Sequence, residues 1–371
     1  MKFSCDQERL NAALTIVSRS VSQKNSNPAL EGIFLEVGDL LQLTGYNMET
    51  GVVVTIPGEV EEKGSLVLAA KLFADIIRKL PKETIHISSE NYWVQISCGA
   101  SEFLIMATDP SDYPQLPEVE QNQGIEIQQA TLKNMINNTH FAISANETRI
   151  IHTGSLFDIR DESLTLVSLD GYRMAVRKEN IDQVFGGPEF SFVVPGASLS
   201  EIEKICGTED IITISHSDKH IMFCLENIIL ITRRIEGEFL DYKNAIPKEN
   251  TFSIEANRRE LVSTIERVSL MISEKAKAPL RCVFFDNKME ISSKTVVGEA
   301  KDICPMVGEG KETEMGFNHR FLQDALRHAP SDSERIRMNF STPNQPCLIL
   351  PEKEEDDSFC YMVLPVRLKA N

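Results

Sequence analysis

The sequence lacks a long apolar run, a cysteine pair of metal-binding spacing, and an excess of positive charge. No stretch reaches the roughly 18 apolar residues of a membrane span, and Lys2, Ser4, Asp6, Gln7 and Glu8 follow Met1 where a signal core would be apolar. A cytoplasmic protein with no membrane partner is expected. Eight cysteines (5, 98, 206, 224, 282, 304, 347 and 360) stand singly, without Cys-x-x-Cys, which argues against a disulfide scaffold and for reduced, buried thiols. With 38 Lys+Arg against 55 Asp+Glu the net charge is −17, and 42% of residues are hydrophobic. Bulk disorder and a uniformly basic nucleic-acid binder are both excluded. A chain of 371 residues is long enough for two or three domains with cores of their own.

Signatures of catalysis are missing too. No Gly-x-Gly-x-x-Gly follows a strand pattern, Gly308-Glu-Gly-Lys-Glu-Thr313 lacks the spacing of a phosphate loop, and there is no Gly-x-Ser-x-Gly elbow. Cys206, His216, His220 and Cys224 offer zinc-type ligands, but Ile211–Ser215 and Ile221–Leu225 alternate as strands around Ser217-Asp218-Lys219, which reads as a hairpin. Glu352, Glu354, Glu355, Asp356 and Asp357 lie between two strand patterns and read as a solvated hairpin tip rather than paired catalytic carboxylates. Neither a cofactor, a metal nor a catalytic residue is expected.

What the sequence does contain is a faint repeat. A strand running into a helix recurs at Ser65–Leu80, Phe190–Ile205 and Thr313–Arg327, with starts 125 and 123 residues apart. Each copy also opens with an amphipathic helix: Leu10, Ala13, Leu14, Val17 and Val21; Leu132, Met135, Ile136 and Ile143; Leu261, Ile265, Val268 and Ile272. Short alternating segments fill the remainder, among them Ile33–Val37, Leu40–Leu43, Ile85–Ser88, Leu164–Val167 and Met289–Ser292. The expected fold class is α+β, with three repeated domains of two antiparallel sheets backed by two helices. Turn-and-proline segments around Tyr113 and Tyr242 close the first two copies, so boundaries are expected at 1–122, 126–248 and 251–371.

Charge is sorted among these elements. The helical segments 7–24, 71–82, 130–149, 198–206, 257–277 and 318–328 together carry +8, leaving −25 for everything else. Basic residues avoid the apolar stripes: Lys71, Arg78 and Lys82 share a face with Asp75, and Arg320, Gln323 and Arg327 share another. An acidic chain can hold DNA on such a sorted surface.

Two stretches are not explained by packing alone: Leu169-Asp-Gly-Tyr-Arg-Met-Ala-Val176, with a Gly and an Arg inside a strand pattern, and the ending Tyr361-Met-Val-Leu-Pro-Val-Arg-Leu368. With the Met1-Lys-Phe start, Asp170-Gly-Tyr-Arg173, Asp241-Tyr242 with the later Pro247, and Leu364-Pro-Val-Arg-Leu368, the whole chain resembles the bacterial DNA polymerase III beta subunit family, the replicative sliding clamps. The resemblance implies a head-to-tail homodimer closed into a ring around double-stranded DNA, helices lining the hole. It implies a non-catalytic processivity factor that tethers the DNA polymerase III alpha subunit, the clamp loader, other polymerases and repair proteins through a groove for short apolar peptides.

Carried over by position, the DNA-facing residues fall on Lys24, Asn146 and Arg149. Wheel geometry adds Arg19, Arg78, Lys79 and Arg267 as lining charges. The resemblance places the groove at His152, Leu169, Gly171, Tyr172, Arg173, Met174, Leu240, Asn244, Ala245, Pro346, Met362, Val363, Leu364, Pro365, Val366 and Arg367. It places the subunit contact at Phe103 of one copy and Met271 and Ile272 of the other. Some relatives carry aromatic residues where Ile150 and Ile151 stand here, and His152 and Asn244 replace residues that are often leucine-like and basic. Two rival readings are a three-domain hydrolase with Asp170, Arg173 and Tyr242 around a pocket, and a monomeric adhesion scaffold.

Overall fold

Two of the three opening helices start on a strand's final polar residue. Asp6 accepts from the Arg9 N–H and Asn257 from the Glu260 N–H, each at 3.0 Å. The computed structural model describes residues 1–22, 27–273 and 278–368. Its first repeat runs β1 (Lys2–Asp6), α1 (Gln7–Val17), β2 (Gly32–Val37), β3 (Leu41–Tyr46), β4 (Thr50–Ile56), β5 (Glu59–Glu62), β6 (Gly64–Ala69), α2 (Ala70–Lys79), β7 (Thr84–Glu90), β8 (Trp93–Cys98) and β9 (Ser101–Met106). The second follows the same order with β10 (Gly124–Gln128), α3 (Gln129–Thr139), β11 (Gly154–Arg160), β12 (Ser163–Leu169), β13 (Arg173–Asn180), β14 (Gln183–Phe185), β15 (Phe190–Pro195), α4 (Gly196–Ile205), β16 (Ile211–His216), β17 (His220–Cys224) and β18 (Ile228–Arg233). After the single turn α5 (Tyr242–Ala245), the third has β19 (Phe252–Asn257), α6 (Arg258–Ser269), β20 (Leu280–Phe285), β21 (Lys288–Thr295), β22 (Gly298–Pro305), β23 (Thr313–Phe317), α7 (His319–Arg327), β24 (Arg335–Phe340), β25 (Cys347–Pro351) and β26 (Phe359–Val363).

The chain divides into two compact units: residues 1–129, 182–187 and 204–234, and residues 130–181, 188–203 and 235–371. Unit 1 holds the sheets β5-β1-β7-β8-β9 and β14-β10-β16-β17-β18-β4-β3-β2-β6. Unit 2 holds β15-β11-β12-β13-β26-β25-β24-β19 and β22-β21-β20-β23. Each long sheet is two repeats joined strand to strand, the last strand of one repeat pairing antiparallel with the third sheet strand of the repeat before it: β18 with β4, and β26 with β13. Both joints use one register. Counted along the ladders from the residue ahead of each opening helix, Ile229 and Cys360 hold the same place, opposite Val53 and Val176.

Most other sheet edges are short or covered. β5 and β14 have 4 and 3 residues. Returning segments cover four more edges, with Thr108 on Val67 of β6, Ile235 on Val193 of β15, Val307 on Glu255 of β19, and Val366 bonded to Gly316 of β23. Among the described residues the two edges left open are β9 and β22.

In unit 2 one apolar cluster joins both sheets of the third repeat to α6 and α7, through Ile254, Leu261, Ile265, Phe284, Phe317, Leu322, Leu326, Phe340 and Tyr361. In unit 1 the apolar stripes of α1 (Leu10, Ala13, Leu14, Val17) and α2 (Phe73, Ile76, Ile77) are likewise buried. Among the described residues no helix is long and apolar enough to cross a membrane.

The helices are shorter than the sequence pattern suggests. Segment 130–149 is α-helical only to Thr139, where φ swings to −124°, and a short 3₁₀ turn, His140–Ala142, follows. Ile143 is extended, and a 3₁₀ stretch, Glu147–Thr153, comes next behind its cap Asn146. Gln323, grouped by sequence with a basic face, is 8% exposed and belongs to the buried side of α7. His216 and His220 end the strands of a hairpin, and among the described residues no cluster of His, Cys, Asp or Glu could hold a metal ion.

All eight cysteines are free, six of them buried. Burial pushes the thiols of Cys5, Cys282 and Cys360 up to about 12 and that of Cys304 to about 11, and also raises Cys98, Cys224 and Cys347. Because the thiolate is the nucleophile, these seven thiols of the native chain should react slowly with iodoacetamide at pH 8, and far faster in denaturant. Mass spectrometry of timed aliquots measures this, and rapid native labelling of Cys282 or Cys347 is the contrary result.

Candidate functional site

The segment that packing alone did not explain is the turn between β12 and β13. Asp170 accepts from the N–H groups of Tyr172 (2.9 Å) and Arg173 (3.1 Å), and Gly171 sits at φ +90°, which side-chain-bearing residues rarely adopt. The turn leaves Tyr172 64% exposed. Arg173 points inward, paired with Asp170 (3.0 Å) and with Asp324 of α7 (2.5 Å). Its guanidinium lies 4.6 Å from the Phe321 ring centre and 5.4 Å from that of Phe141. One side chain thus ties the second repeat to the third inside unit 2.

The residues after β26 lie along this tie. Leu364 donates its N–H to the Tyr172 carbonyl at 2.9 Å, and Val366 donates to that of Gly316 at 2.8 Å. Tyr172 stacks on Phe321 at 6.1 Å. Between them opens a cleft of about 550 Å³, lined by Tyr172, Ile272, Ala278, Pro279, Asn318, Phe321, Leu364, Pro365 and Val366 among others. Asn318 and Phe321 were not singled out in the sequence, where both lie within the repeated strand-into-helix segment Thr313–Arg327. Ile272, read there as a subunit contact, lines this cleft.

A second group of the expected groove residues forms an apolar cluster. Leu169, Met174 and Met362 pack with Tyr242, Phe239 and Ile246. His152 is 9% exposed and meets Phe239 edge-on at 5.9 Å. Burial, then the nearby Arg149 charge, lowers its pKa. Leu240 is exposed on a neighbouring cleft of about 490 Å³ that also reaches Asp158 and Tyr242. Asn244 is exposed and bonded to Asp241, Ala245 and Pro346 are half-buried, and Arg367 is exposed. Val363 points away, into the core of the third repeat, because β26 alternates and Met362 takes the other face.

The expected lining cations among the described residues are exposed. Arg19, Lys79 and Arg149 are exposed, Arg78 pairs with Asp75 at 2.5 Å, and Arg267 pairs with Asp302 at 2.7 Å. The Asn146 side chain is committed to its own turn, accepting from the Thr148 N–H at 3.0 Å. Lys24 lies outside the described residues. The open edge β9 presents Phe103, Leu104 and Met106 at 38, 63 and 58% exposure, with Trp93 beside them at 46%. Around β22, Ile303 is 49% and Val297 77% exposed, and Met271 approaches Gly298.

Comparison with known proteins gives this geometry a context. The chain matches the family models of the DNA polymerase III beta subunit over its N-terminal domain (residues 1–117), central domain (126–241) and C-terminal domain (243–367). It belongs to the DNA polymerase III beta subunit family. Within that family, the beta sliding clamp of Halalkalibacterium halodurans is 32% identical over 99% of this chain and 100% of its own length. That of Bacillus subtilis is 30% identical over 99% and 100%. The crystal structure of the Bacillus subtilis DNA polymerase sliding clamp has a TM-score of 0.94 at 29% identity, covering 100% of both chains. A putative DNA polymerase III beta subunit from Eubacterium rectale has a TM-score of 0.93 at 32% identity, covering 99% of this chain and 100% of its own.

The hydrolase reading is not supported by this membership, nor by the bonding. Arg173 is spent on two carboxylates and two rings, while the Tyr242 hydroxyl donates to Asp158 at 2.9 Å. Burial and that carboxylate push the Tyr242 hydroxyl well above its usual value. Asp158 is 5% exposed, so removing the donor leaves a carboxylate that only Arg160 (2.9 Å) and the more distant Lys243 (3.6 Å) still serve. Tyr242→Phe should therefore cost about 1–2 kcal/mol, read as a lower denaturant midpoint; an unchanged midpoint would show that the bond contributes nothing.

Proposed function

We propose that this chain is a DNA polymerase processivity factor, a sliding clamp that closes as a head-to-tail ring around duplex DNA and has no chemistry of its own. The observation that carries this reading is the pair of open edges. Inside the chain, the last strand of each following repeat pairs with the third sheet strand of the repeat before it, which leaves β9 of the first repeat and β22 of the third without partners. Open edges of this kind invite pairing with another chain, and β9 on β22 of a second copy repeats the internal joint. The contact is heterologous, so it must close on itself or polymerise. Two copies of three domains, at 1–122, 126–248 and 251–371, give a closed ring of six.

DNA is held by enclosure, so its contacts can be weak and sequence-independent. Arg19, Arg78, Lys79, Asn146, Arg149 and Arg267 face the duplex, and contacts to phosphates alone leave the ring free to slide. The acidic remainder of the surface disfavours binding on the outside. The cleft at Tyr172, Leu364, Pro365 and Val366, with the cluster of Leu169, Met174 and Met362 beside it, is a groove for short apolar peptides. Its occupants are the polymerase III alpha subunit, the clamp loader and other polymerases and repair proteins of the cytoplasm. Because enclosure is topological, the loaded protein should remain on circular DNA and be lost within minutes of linearising it, as gel filtration of the complex will measure. Equal loss from circle and linear DNA refutes enclosure.

The shared register supports one alignment of the subunit contact. Carried onto the open edges, the pairs Ile229 with Val53 and Cys360 with Val176 place Glu102 opposite Lys301, with Phe103 opposite Ala300. Opposite charges across a ladder stabilise it, and like charges oppose it. Glu102→Lys should weaken self-association by about tenfold, and adding Lys301→Glu should restore most of it. Sedimentation velocity reads both, and a double variant as weak as the single one rejects this register.

A further inference from the structure

The groove of unit 2 has a counterpart in unit 1, and the ladders allow the two to be compared residue by residue. Gly32 pairs with Ala69 and Gly154 with Pro195, each partner lying immediately ahead of the second helix of its repeat. From there Phe34 corresponds to Leu156 and Val67 to Val193. Further steps across β3 and β12, then β4 and β13, match Tyr46 with Leu169 and Gly51 with Met174. The joints then match Ile231 with Met362.

The covering segments correspond too. Thr108 donates to the Val67 carbonyl at 2.9 Å and Ile235 to that of Val193 at 3.0 Å. Tyr113 and Tyr242 come next, each buried in its cluster. Three residues beyond each tyrosine stand Leu116 and Ala245.

Leu169, Met174, Ala245 and Met362 of the groove therefore appear in unit 1 as Tyr46, Gly51, Leu116 and Ile231. Two of these changes compensate each other: the wall loses a methionine to glycine, and the linker gains a leucine for alanine. Leu116 fills the space this leaves. A Cβ on Gly51 would lie 2.2 Å from its Cδ2 atom, and Gly51 is not among the residues of positive φ, so it is space rather than backbone conformation that calls for glycine. Leu116 packs there against the cluster of Ala29, Leu30, Tyr46, Val67 and Tyr113. Pro114 and Pro117 flank it and stiffen the segment. Beside it remains a cleft of about 500 Å³ reaching Phe34, Gln42 and Thr44.

We propose that unit 1 carries a second site for a short leucine-bearing apolar peptide, and that Leu116 of the chain's own linker occupies it. The site takes the same class of ligand as the unit 2 groove, and for that class the inference rests on the reading of that groove as a peptide site. Its immediate consequence is one open groove per chain instead of two.

The test uses the full-length protein with methyl-labelled Ile, Val and Met and a synthetic peptide of residues 109–118. In Leu116→Ala the peptide should give saturable shifts at the Val67 and Ile231 methyls, at a concentration about tenfold or more below any effect at those two methyls of the native protein. The same peptide carrying Leu116→Asp should give none. Adding Gly51→Val to the Leu116→Ala protein refills the seat from the wall and should abolish the shifts. Should Leu116→Ala fail to fold, Leu116→Val is titrated in its place and judged by the same methyls. A folded variant with no saturable shift at Val67 and Ile231, a native protein that binds equally well, or a refilled variant that still binds overturns the proposal. Failure of the unit 2 groove is read separately, as absent shifts at Met174 and Met362.

Discussion

The backbone hydrogen-bonding demand of a sheet edge governs this molecule. A strand with one side unpaired must be short, covered or matched by another strand, and this chain uses all three devices. β5 and β14 are short, four edges are covered by returning segments, and β4 and β13 are matched by strands from the next repeat. The domains are therefore not beads on a linker. Their sheets run through the boundaries, so the units that pack together cut across the repeats that the sequence displays.

The same demand explains why charge could be sorted so sharply. Joining repeats edge to edge commits mainly backbone groups and apolar side chains, such as Ile229, Val53, Cys360 and Val176, with few ionic contacts, such as Lys178 with Asp357 at one end of a joint. Cations are then free to collect on helices, and carboxylates on loops and hairpin tips. Several helix cations nonetheless pair with nearby acids, Arg78 with Asp75 and Arg267 with Asp302. Pairs this exposed are worth little in stability, so phosphates could displace those carboxylates at small cost. A cationic surface built this way is weak and exchangeable, which suits a ring that must move along what it holds.

Much of the fold was legible in the sequence because its signals are local. The stripes Leu10-Ala13-Leu14-Val17 and Leu261-Ile265-Val268 face the core as their spacing requires, and the acidic run after Glu352 lies in the turn between β25 and β26. Helix ends were read less well: the apolar spacing carries on to Ile143 while α3 stops at Thr139, because periodicity reports which face is buried and not where the backbone turns away. The joints were not legible at all. Ile231 meets Gly51 across 180 residues of sequence, and nothing in either strand names its partner. Half of the groove could be named from the two odd stretches around Tyr172 and Leu364, while Phe321 and Asn318 were hidden inside a helix start that looks like any other. Val363 was misplaced because adjacent strand residues face opposite ways, and only the structure shows which one the core takes.

Repetition supplies three similar platforms, and the differences between them come down to a few residues each. The return bond to the strand ahead of the second helix is made by Thr108, Ile235 and Val366, at 2.9, 3.0 and 2.8 Å. Beyond that bond the repeats diverge. In unit 1 the covering segment carries Leu116 onto Gly51 and fills its own hollow. In unit 2 the corresponding segment carries Ala245, and Met174 and Met362 pack there in the cluster of Leu169, Tyr242, Phe239 and Ile246. Exchanging one large and one small side chain between wall and linker keeps total volume nearly constant, so packing imposes little penalty on either arrangement. A repeat protein can therefore make equivalent places of its copies different by trading a few methylene groups between wall and linker.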